Sequence, residues 1–260
     1  MALTNKTIAS SYQDLLQVDN SGSGRTANGT IIKDGLGNST ALTLGGDKVA
    51  LKPSSDSTAL LTVEDASGAD LLVVDSTNSA VKAGTTQTHV TTQIQRYGVY
   101  DAQPTAGKHH SMFVDQSLHS SATSLDFGTG TDPATSLTVA NSTGLHSYDA
   151  VASYWYVPTA ITIDEVRVLA AAEASVDLNF HLYSYTLITG TGSTAGNLSS
   201  GTLLSHNGSV LAANNDRMVT TTLTVDSANV AADKVIVATF ENVTDTNDVT
   251  VQLIVKYHYQ

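Results

Sequence analysis

A short strand-and-turn phrase recurs in the first third of this 260-residue chain. Its two best copies, residues 60–63 and 71–74, are apolar runs that start eleven residues apart, and an acidic residue and a turn follow each of them. That spacing is about the length of one strand plus one turn. The same phrase occurs earlier from Leu15, and a looser copy begins at Ala41. Repetition of such a unit predicts a stacked or interlocked β structure.

The runs are apolar at consecutive positions rather than at alternating ones. Strands of this kind need cover on both faces, and little chain lies between the runs to supply it. We therefore expect residues 1–90 to form an intertwined β stem in which other copies of the chain provide the cover. The side chains expected in the core of this stem are Leu15, Leu16, Val18, Leu60, Leu61, Val63, Leu71, Leu72 and Val74.

The pattern changes in the second part of the chain. Residues 85–95 are rich in Thr and Gln, which predicts a linker or domain boundary. Beyond them apolar and polar residues alternate strictly, most clearly from Val249 to Tyr259. About ten short strands of this type predict an antiparallel two-sheet β-sandwich, jelly-roll-like, over residues 96–260. The whole chain is expected to be all-β, with helix limited to single turns such as residues 227–232.

Composition excludes several classes of function. The formal net charge is −12, and no basic patch is visible in the sequence, which argues against a nucleic-acid partner. The same acidity argues against an anionic membrane surface. The chain has no cysteine, so disulfides and thiolate metal sites are excluded. Residues 1–6 lack the basic and apolar regions of a signal peptide, and no segment has the length of a membrane span, so we expect a soluble product made in the cytoplasm.

Histidines offer one possible metal site. His109, His110 and His119 lie near Asp115, but they supply neither an i, i+4 helical pair nor a His-x-His spacing. A surface or interface role is therefore the favoured interpretation. His258 alternates outward on the last predicted strand and has no partner in the sequence pattern.

Carboxylates offer a calcium site as a second alternative, although no EF-hand spacing is present and solvated acidic turns are favoured. The residues concerned are Asp233, Glu241, Asp245 and Asp248. We expect no metal and no cofactor. For catalysis, no Gly-x-Ser-x-Gly motif occurs, and the neighbours Asp164 and Glu165 would point to opposite faces of a strand. We therefore expect no catalytic residue and no enzymatic activity.

Three consecutive aromatic residues, Tyr154, Trp155 and Tyr156, are candidates for a glycan or subunit contact. Their rings could stack on a sugar. Trp and Tyr on a sandwich strand more often pack in the core or against another subunit, which is the favoured interpretation.

Residues 70–79, DLLVVDSTNS, resemble the shaft segments of tail-fibre and head-decoration proteins from tailed bacteriophages. In those shafts an apolar run, an acidic turn and an Asn-Ser step often precede a Gly-rich step. The segment from Val249 to Tyr259, with Lys256, Tyr257 and His258, looks like the final strand of the β-sandwich knobs on such virion proteins. Residues 80–85, AVKAGT, replace the usual Arg-Val-Gly-Ile-Gly-Thr continuation.

The resemblance implies a homotrimeric, non-enzymatic structural protein located in the virion. Our first expectation is a capsid decoration or head-fibre protein, a cement or spike, docked on the major capsid protein or on tail components through residues 2–18. The alternative is a receptor-binding tail-fibre protein that recognises host surface glycans. An enzyme that cleaves surface polysaccharide is a third possibility, but it would call for more repeats than the four visible here.

Overall fold

The computed structural model describes residues 17–18, 29–34, 36–84, 88–115, 124–139, 147–215 and 217–260. Within these residues the chain forms 21 strands and one five-residue helix, α1 (Ser147–Val151). The predicted all-β class is confirmed. The chain divides into two compact units, Met1–Val90 and Thr91–Gln260.

Two four-stranded antiparallel meanders form the described part of the first unit. The first meander contains β1 (Gln17–Val18), β2 (Thr30–Lys33), β3 (Ser39–Leu44) and β4 (Val49–Leu51). The second meander contains β5 (Leu61–Glu64), β6 (Asp70–Asp75), β7 (Ala80–Ala83) and β8 (Thr88–His89). The four copies of the repeated phrase fall on β1, β3, β5 and β6, so each copy supplies one strand.

The acidic residue that follows an apolar run folds the turn. Asp65 accepts hydrogen bonds from the backbone N–H groups of Ser67 (2.8 Å) and Ala69 (3.0 Å), and Asp75 accepts one from Asn78 (2.9 Å). Side chains that bond to backbone groups ahead of them stabilise turns. The side-chain hydrogen bond from Ser67 is the main cause that lowers the pKa of Asp65. The Asp residue after each of these two apolar runs therefore stabilises the turn that ends the strand.

The second unit is a sandwich of two antiparallel sheets. The first, called here the open sheet, contains β9 (Thr92–Ala102), β11 (Phe113–Val114), β14 (Ile161–Ala172), β18 (Val219–Val225), β19 (Asn229–Val230) and β21 (Val249–Tyr259). The other, the covered sheet, contains β10 (Lys108–Ser111), β12 (Asp126–Thr129), β13 (Trp155–Val157), β15 (Val176–Leu187), β16 (Leu198–His206), β17 (Leu211–Ala213) and β20 (Lys234–Asn242). A short ladder between β16 and β18 joins the two sheets.

Eight of these strands follow jelly-roll topology. The open sheet has the order β9-β21-β14-β18, and the covered sheet has the order β16-β15-β20-β10. When these eight strands are numbered from 1 to 8 in chain order, the open sheet has the order 1-8-3-6 and the covered sheet has the order 5-4-7-2. The hydrogen-bonded pairs β9–β21, β10–β20, β14–β18 and β15–β16 are those that arise when one long antiparallel hairpin winds around itself.

Alternation along the strands builds the core between the sheets. On β21 the odd-numbered residues from Val249 to Tyr257 are buried, and they meet Val176, Leu178, Phe180 and Leu182 of β15 across the sandwich. β21 lies between β9 and β14, so the last strand is paired on both sides.

One local prediction is confirmed in part and another is wrong. The boundary between the two units lies within residues 85–95, where a linker or domain boundary was expected, but β8 and the start of β9 also lie there, and residues 92–95 pair with β21. Gln93 and Gln95 are strand residues that lie opposite Tyr257 and Val255, which the sequence pattern alone does not separate from a loop. Residues 227–232 contain β19 instead of a helical turn, because Asn229 and Val230 pair with the start of β14.

A second hydrophobic layer covers the outer face of the covered sheet. Its buried residues from outside the main strands are Leu125, Phe127, Leu137, Val139 and Ala150. They pack on Tyr183 and Tyr185 of β15 and on Val235 and Val237 of β20. The expectation that every strand has one polar, solvated face is therefore wrong for β15, whose residues 180–185 are all buried.

Replacing Leu253 of β21 by Ala tests the assignment of the core. Leu253 is fully buried, so we expect a loss of about 2–5 kcal/mol in the free energy of unfolding, as for other large-to-small core changes. Gln252→Ala, on the opposite face of the same strand, is the matched control and should change stability little. Chemical denaturation monitored by circular dichroism measures both variants. Equal effects of the two substitutions would contradict the assignment.

Candidate functional site

One face of the second meander is apolar and partly exposed. The strand register places Leu61, Val74 and Val81 in one row and Val63, Leu72 and Ala83 in the next. These six residues are called the stem face. Leu61 is 38% exposed, Val63 47% and Val81 40%, although β-branched and Leu side chains in a sheet are usually packed. Contiguous exposed apolar surface of this kind marks an interaction site.

The opposite face of the same meander is covered by the chain itself. Val73 and Asp75 are buried there, and Asp75 pairs with Lys82 at 3.2 Å. Ser57, from the segment that precedes β5, donates its N–H to the Ser76 hydroxyl and accepts the Ser76 N–H. The second meander is therefore covered around Val73 and Asp75 on this side, although Leu71 on the same side is 43% exposed, whereas the stem face is partly exposed in both of its rows.

The first meander also has an apolar face. Leu42 lies opposite Leu51 and Leu44 opposite Val49, so four apolar side chains share one face. Val49 is 69% exposed and Leu51 39%, whereas Ile32 on the same face is buried. Both meanders therefore present a face of apolar side chains that the described residues cover only in part.

The predicted stem-core residues are not all equivalent in the structure. Leu61, Val63, Leu72 and Val74 belong to the stem face, Leu60 precedes β5 and is half-buried, and Leu71 is exposed on the other side of β6. Leu15 and Leu16 lie outside the described residues, and Val18 is described as part of β1 without its side chain. The proposed docking segment, residues 2–18, also lies outside the described residues apart from β1.

The three consecutive aromatic residues occupy three different surroundings. Trp155 packs against the main core and against Tyr257, with ring centroids 4.8 Å apart. Tyr154 packs against the second hydrophobic layer and donates its hydroxyl to the carbonyl of Gly196 at 3.2 Å. Tyr156 is 48% exposed and donates a hydrogen bond to Asp233. The three rings therefore do not form one continuous stacking platform.

A buried polar cluster on the covered sheet is the feature that the sequence did not reveal. The register places His109 beside Glu241 and His181 beside Thr239 on the outer face of the sheet, under residues 124–139. The two histidine rings are 5.1 Å apart, and His109 is fully buried. His109 Nε2 lies 3.0 Å from the carbonyl of Gly130 and donates to it, because a carbonyl can only accept.

His181 lies near one carboxylate and a second imidazole besides that of His109. Asp132 lies 3.4 Å from its Nε2 atom, and the ring of His206, which pairs with Asp226 at 2.7 Å, stacks at 6.2 Å. Burial, with His109 as the second cause, lowers the pKa of His181 to about 4. Burial, together with Asp132, raises the pKa of Tyr183 to about 12. His181 is therefore neutral at physiological pH.

This pKa predicts an acid sensitivity of the second unit. The unfolded chain binds a proton at His181 below about pH 6.5, whereas the folded chain binds it only near pH 4. Stability is thus lost as the pH falls from about 6.5 to about 4, by on the order of 2 kcal/mol for this group.

Thermal unfolding between pH 7 and pH 4 checks this prediction. His181→Gln should flatten the decline in melting temperature over that window relative to the wild-type protein. A His181→Gln curve parallel to that of the wild-type protein would show that His181 does not cause the acid sensitivity.

The residues considered for metals do not converge. In the described ranges, no group of three or more His, Asp or Glu is placed to hold a metal ion. His119 lies outside those ranges. Asp233 accepts from Tyr156, Asp245 accepts from the N–H groups of Thr246 and Asn247 in its own turn, and Glu241 belongs to the buried cluster. Burial, with Glu173 and Asp101 nearby, raises the pKa of Asp248. No described helix is long and apolar enough to cross a membrane.

Comparison with known proteins adds little to this geometry. No protein-family model matches the chain, and no curated protein matches it. A solved structure, described as infectious bursal disease virus Gt strain, aligns with 8% sequence identity and a TM-score of 0.17. The alignment covers 64% of this chain and 64% of that one. A TM-score of this size does not establish a shared fold.

Proposed function

We propose that this protein is a homotrimeric, non-enzymatic structural protein of a tailed-bacteriophage virion, a capsid decoration or head-fibre protein docked through its N-terminal segment. The observation that carries the proposal is the partly exposed apolar face on each of the two meanders of the first unit. A unit built in this way has its main use in assembly. The number three, the virion and the phage origin rest on the resemblance of residues 70–79 and of β21 to such proteins.

Burial of the stem face would contribute substantially to the free energy of association. If each Leu buried about 100 Å² of apolar surface, the gain would be roughly 2.5 kcal/mol per side chain. Burial of the six side chains of the stem face and the four of the first meander would then contribute more free energy than association costs, which is about 4–15 kcal/mol. Burial against other copies also removes the exposed apolar surface that would otherwise promote aggregation.

The second unit suits an exposed position on a particle. Jelly rolls recur in viral capsid and lectin domains, although the fold alone does not determine function. Residues 91–260 contain six Lys and Arg and fifteen Asp and Glu, a formal charge of −9. Like charge of this size disfavours sticking between neighbouring particles.

Glycan recognition by a tail-fibre tip is the alternative function. Tyr156 is the residue best placed for it, because its ring is about half exposed. Tyr154 and Trp155 pack within the unit, so the observation that favours assembly is stronger than the one that favours glycan binding.

Polar substitutions on the stem face test the trimer. Leu61→Ser combined with Val63→Ser should shift the protein from trimer to monomer at micromolar concentration, because both side chains would be buried between copies. Sedimentation velocity measures the shift. Leu36→Ser with Met218→Ser is the matched control, since both residues are exposed apolar side chains outside the stem face. Loss of the trimer in the control as well, or a wild-type protein that is already monomeric, would contradict the proposal.

Removal of residues 2–12 tests docking separately from trimerisation. The shortened protein should stay trimeric but no longer add to virions that lack the protein. Three N-terminal segments at one stem base would otherwise gain roughly 10²–10⁴ in avidity over a single segment. Quantitative gel analysis of purified particles measures occupancy. Unchanged occupancy of the particles by the shortened protein would show that docking uses another part of the chain.

A further inference from the structure

The outer face of the open sheet collects basic side chains that are far apart in sequence. Arg96 of β9, Ile254 of β21 and Arg167 of β14 lie in one cross-strand row. Ile94, Lys256 and Glu165 form the next row. Three of the six Lys and Arg residues of the second unit therefore share this face, which was not visible as a basic patch in the sequence.

Acidic residues do not balance these cations on the face. Glu165 bonds to Arg167 at 2.7 Å, and Asp164 at the end of the face bonds to His258 at 2.8 Å. The two rows carry three basic side chains and one acidic side chain, whereas the rest of the second unit carries three basic and fourteen acidic ones, a formal charge of −11. These rows are thus positively charged, whereas the rest of the second unit is strongly negative.

Apolar side chains lie among the cations. Ile94 is 60% exposed, Leu169 is 37% exposed on the row beside Arg167, and Ile254 is half-buried at the centre. Thr220 and Thr222 of β18 extend the face on its far side. An apolar centre with a charged surround is the usual anatomy of a protein–protein interface. No second layer of the kind that covers the other sheet packs on this one within the described residues.

The dimensions of the face match those of a specific contact. Four strands spaced at about 4.8 Å and running for about 30 Å give roughly 600 Å² on one partner. The corresponding total of about 1,200 Å² is at the lower end of the range for specific protein interfaces.

We propose that this face, Arg96, Arg167 and Lys256 around Ile254, binds the acidic surface of the second unit of a neighbouring copy of this chain. The face cannot pair with itself across a two-fold axis, because its cations would meet the same cations. Contact with a different, acidic surface is a heterologous interface, and such interfaces close into rings when the rotation between copies permits. The inference rests on the proposed trimer and adds a second contact, between jelly-roll units, to the stem contact.

Zero-length carbodiimide cross-linking of the full chain tests this contact. The reagent joins the amine of Lys256 to a carboxylate that touches it, and a mixture of ¹⁴N- and ¹⁵N-labelled chains distinguishes links between copies from links within one copy by mass. We expect mixed-isotope links from Lys256 to Asp or Glu of another copy, lost in 0.5 M salt because the Debye length falls to about 4 Å. Links from Lys256 to Glu165 of the same chain alone would overturn the inference.

Charge reversal provides the matched comparison. Arg96→Glu with Arg167→Glu should abolish the links between copies, whereas Lys52→Glu with Arg217→Glu, which changes the net charge equally at exposed positions off this face, should retain them. Equal links in both variants would overturn the inference. Melting temperatures within a few degrees of wild type show that each variant is folded, and Arg96→Gln with Arg167→Gln repeats the test without introducing repulsion.

The result separates this inference from the proposed function. A protein that sediments as a trimer without mixed-isotope links from Lys256 keeps the stem proposal and refutes this one. Links that persist in the Leu61→Ser, Val63→Ser variant at high concentration support this contact independently of the stem. Binding of a duplex DNA oligonucleotide by the wild-type protein but not by the charge-reversed variant, without links between copies, would assign the face to nucleic acid and overturn the proposal.

Discussion

The arrangement of the first unit depends on how many faces of a small sheet one chain can cover. Each described meander has four short strands, and the second is enclosed around Val73 and Asp75 on one side while Leu61 and Val63 on the other side are exposed. Isolated small sheets are marginal in water unless another layer packs on their apolar face. In the proposed assembly other copies supply that layer, so the stability of this unit would depend on association, whereas the two sheets of the second unit cover each other.

The second unit resolves the same problem within one chain. Its two sheets cover each other, and residues 124–139 with α1 add a second layer over the covered sheet. That layer encloses His109, His181 and Glu241, and the lowered pKa of His181 is expected to link the stability of the unit to pH. Gly201 allows the layer to approach, because a Cβ there would lie 2.8 Å from Thr135 Cα and 2.7 Å from Tyr185. The open sheet keeps an uncovered face whose charge is opposite to that of the rest of the unit.

The sequence predicted the elements whose signal is local. Alternation from Val249 to Tyr259 was enough for β21 and its buried face, and the spacing of the repeated phrase was enough for four of the eight strands of the meanders. Features that depend on register were not predictable: Arg96 and Arg167 are 71 residues apart, and only their pairing with β21 brings them to one row. The prediction of a surface or interface role for His109 is wrong for the same reason, since the layer that buries it comes from a distant and partly polar segment. The sequence predicted four of the six residues of the stem face. It did not predict that Leu71 is exposed on the opposite side of the meander.

The chain's lack of cysteine allows a direct measurement of whether the stem face is covered in the assembled protein. A single cysteine placed at Val63 should react with a thiol reagent much more slowly than one placed at Leu36, an exposed residue of a turn in the same unit. The difference should disappear when the protein is diluted until it dissociates, because the cover comes from other copies. Equal reaction rates at the two positions in the concentrated protein would contradict the account, since the stem face would then be open to solvent.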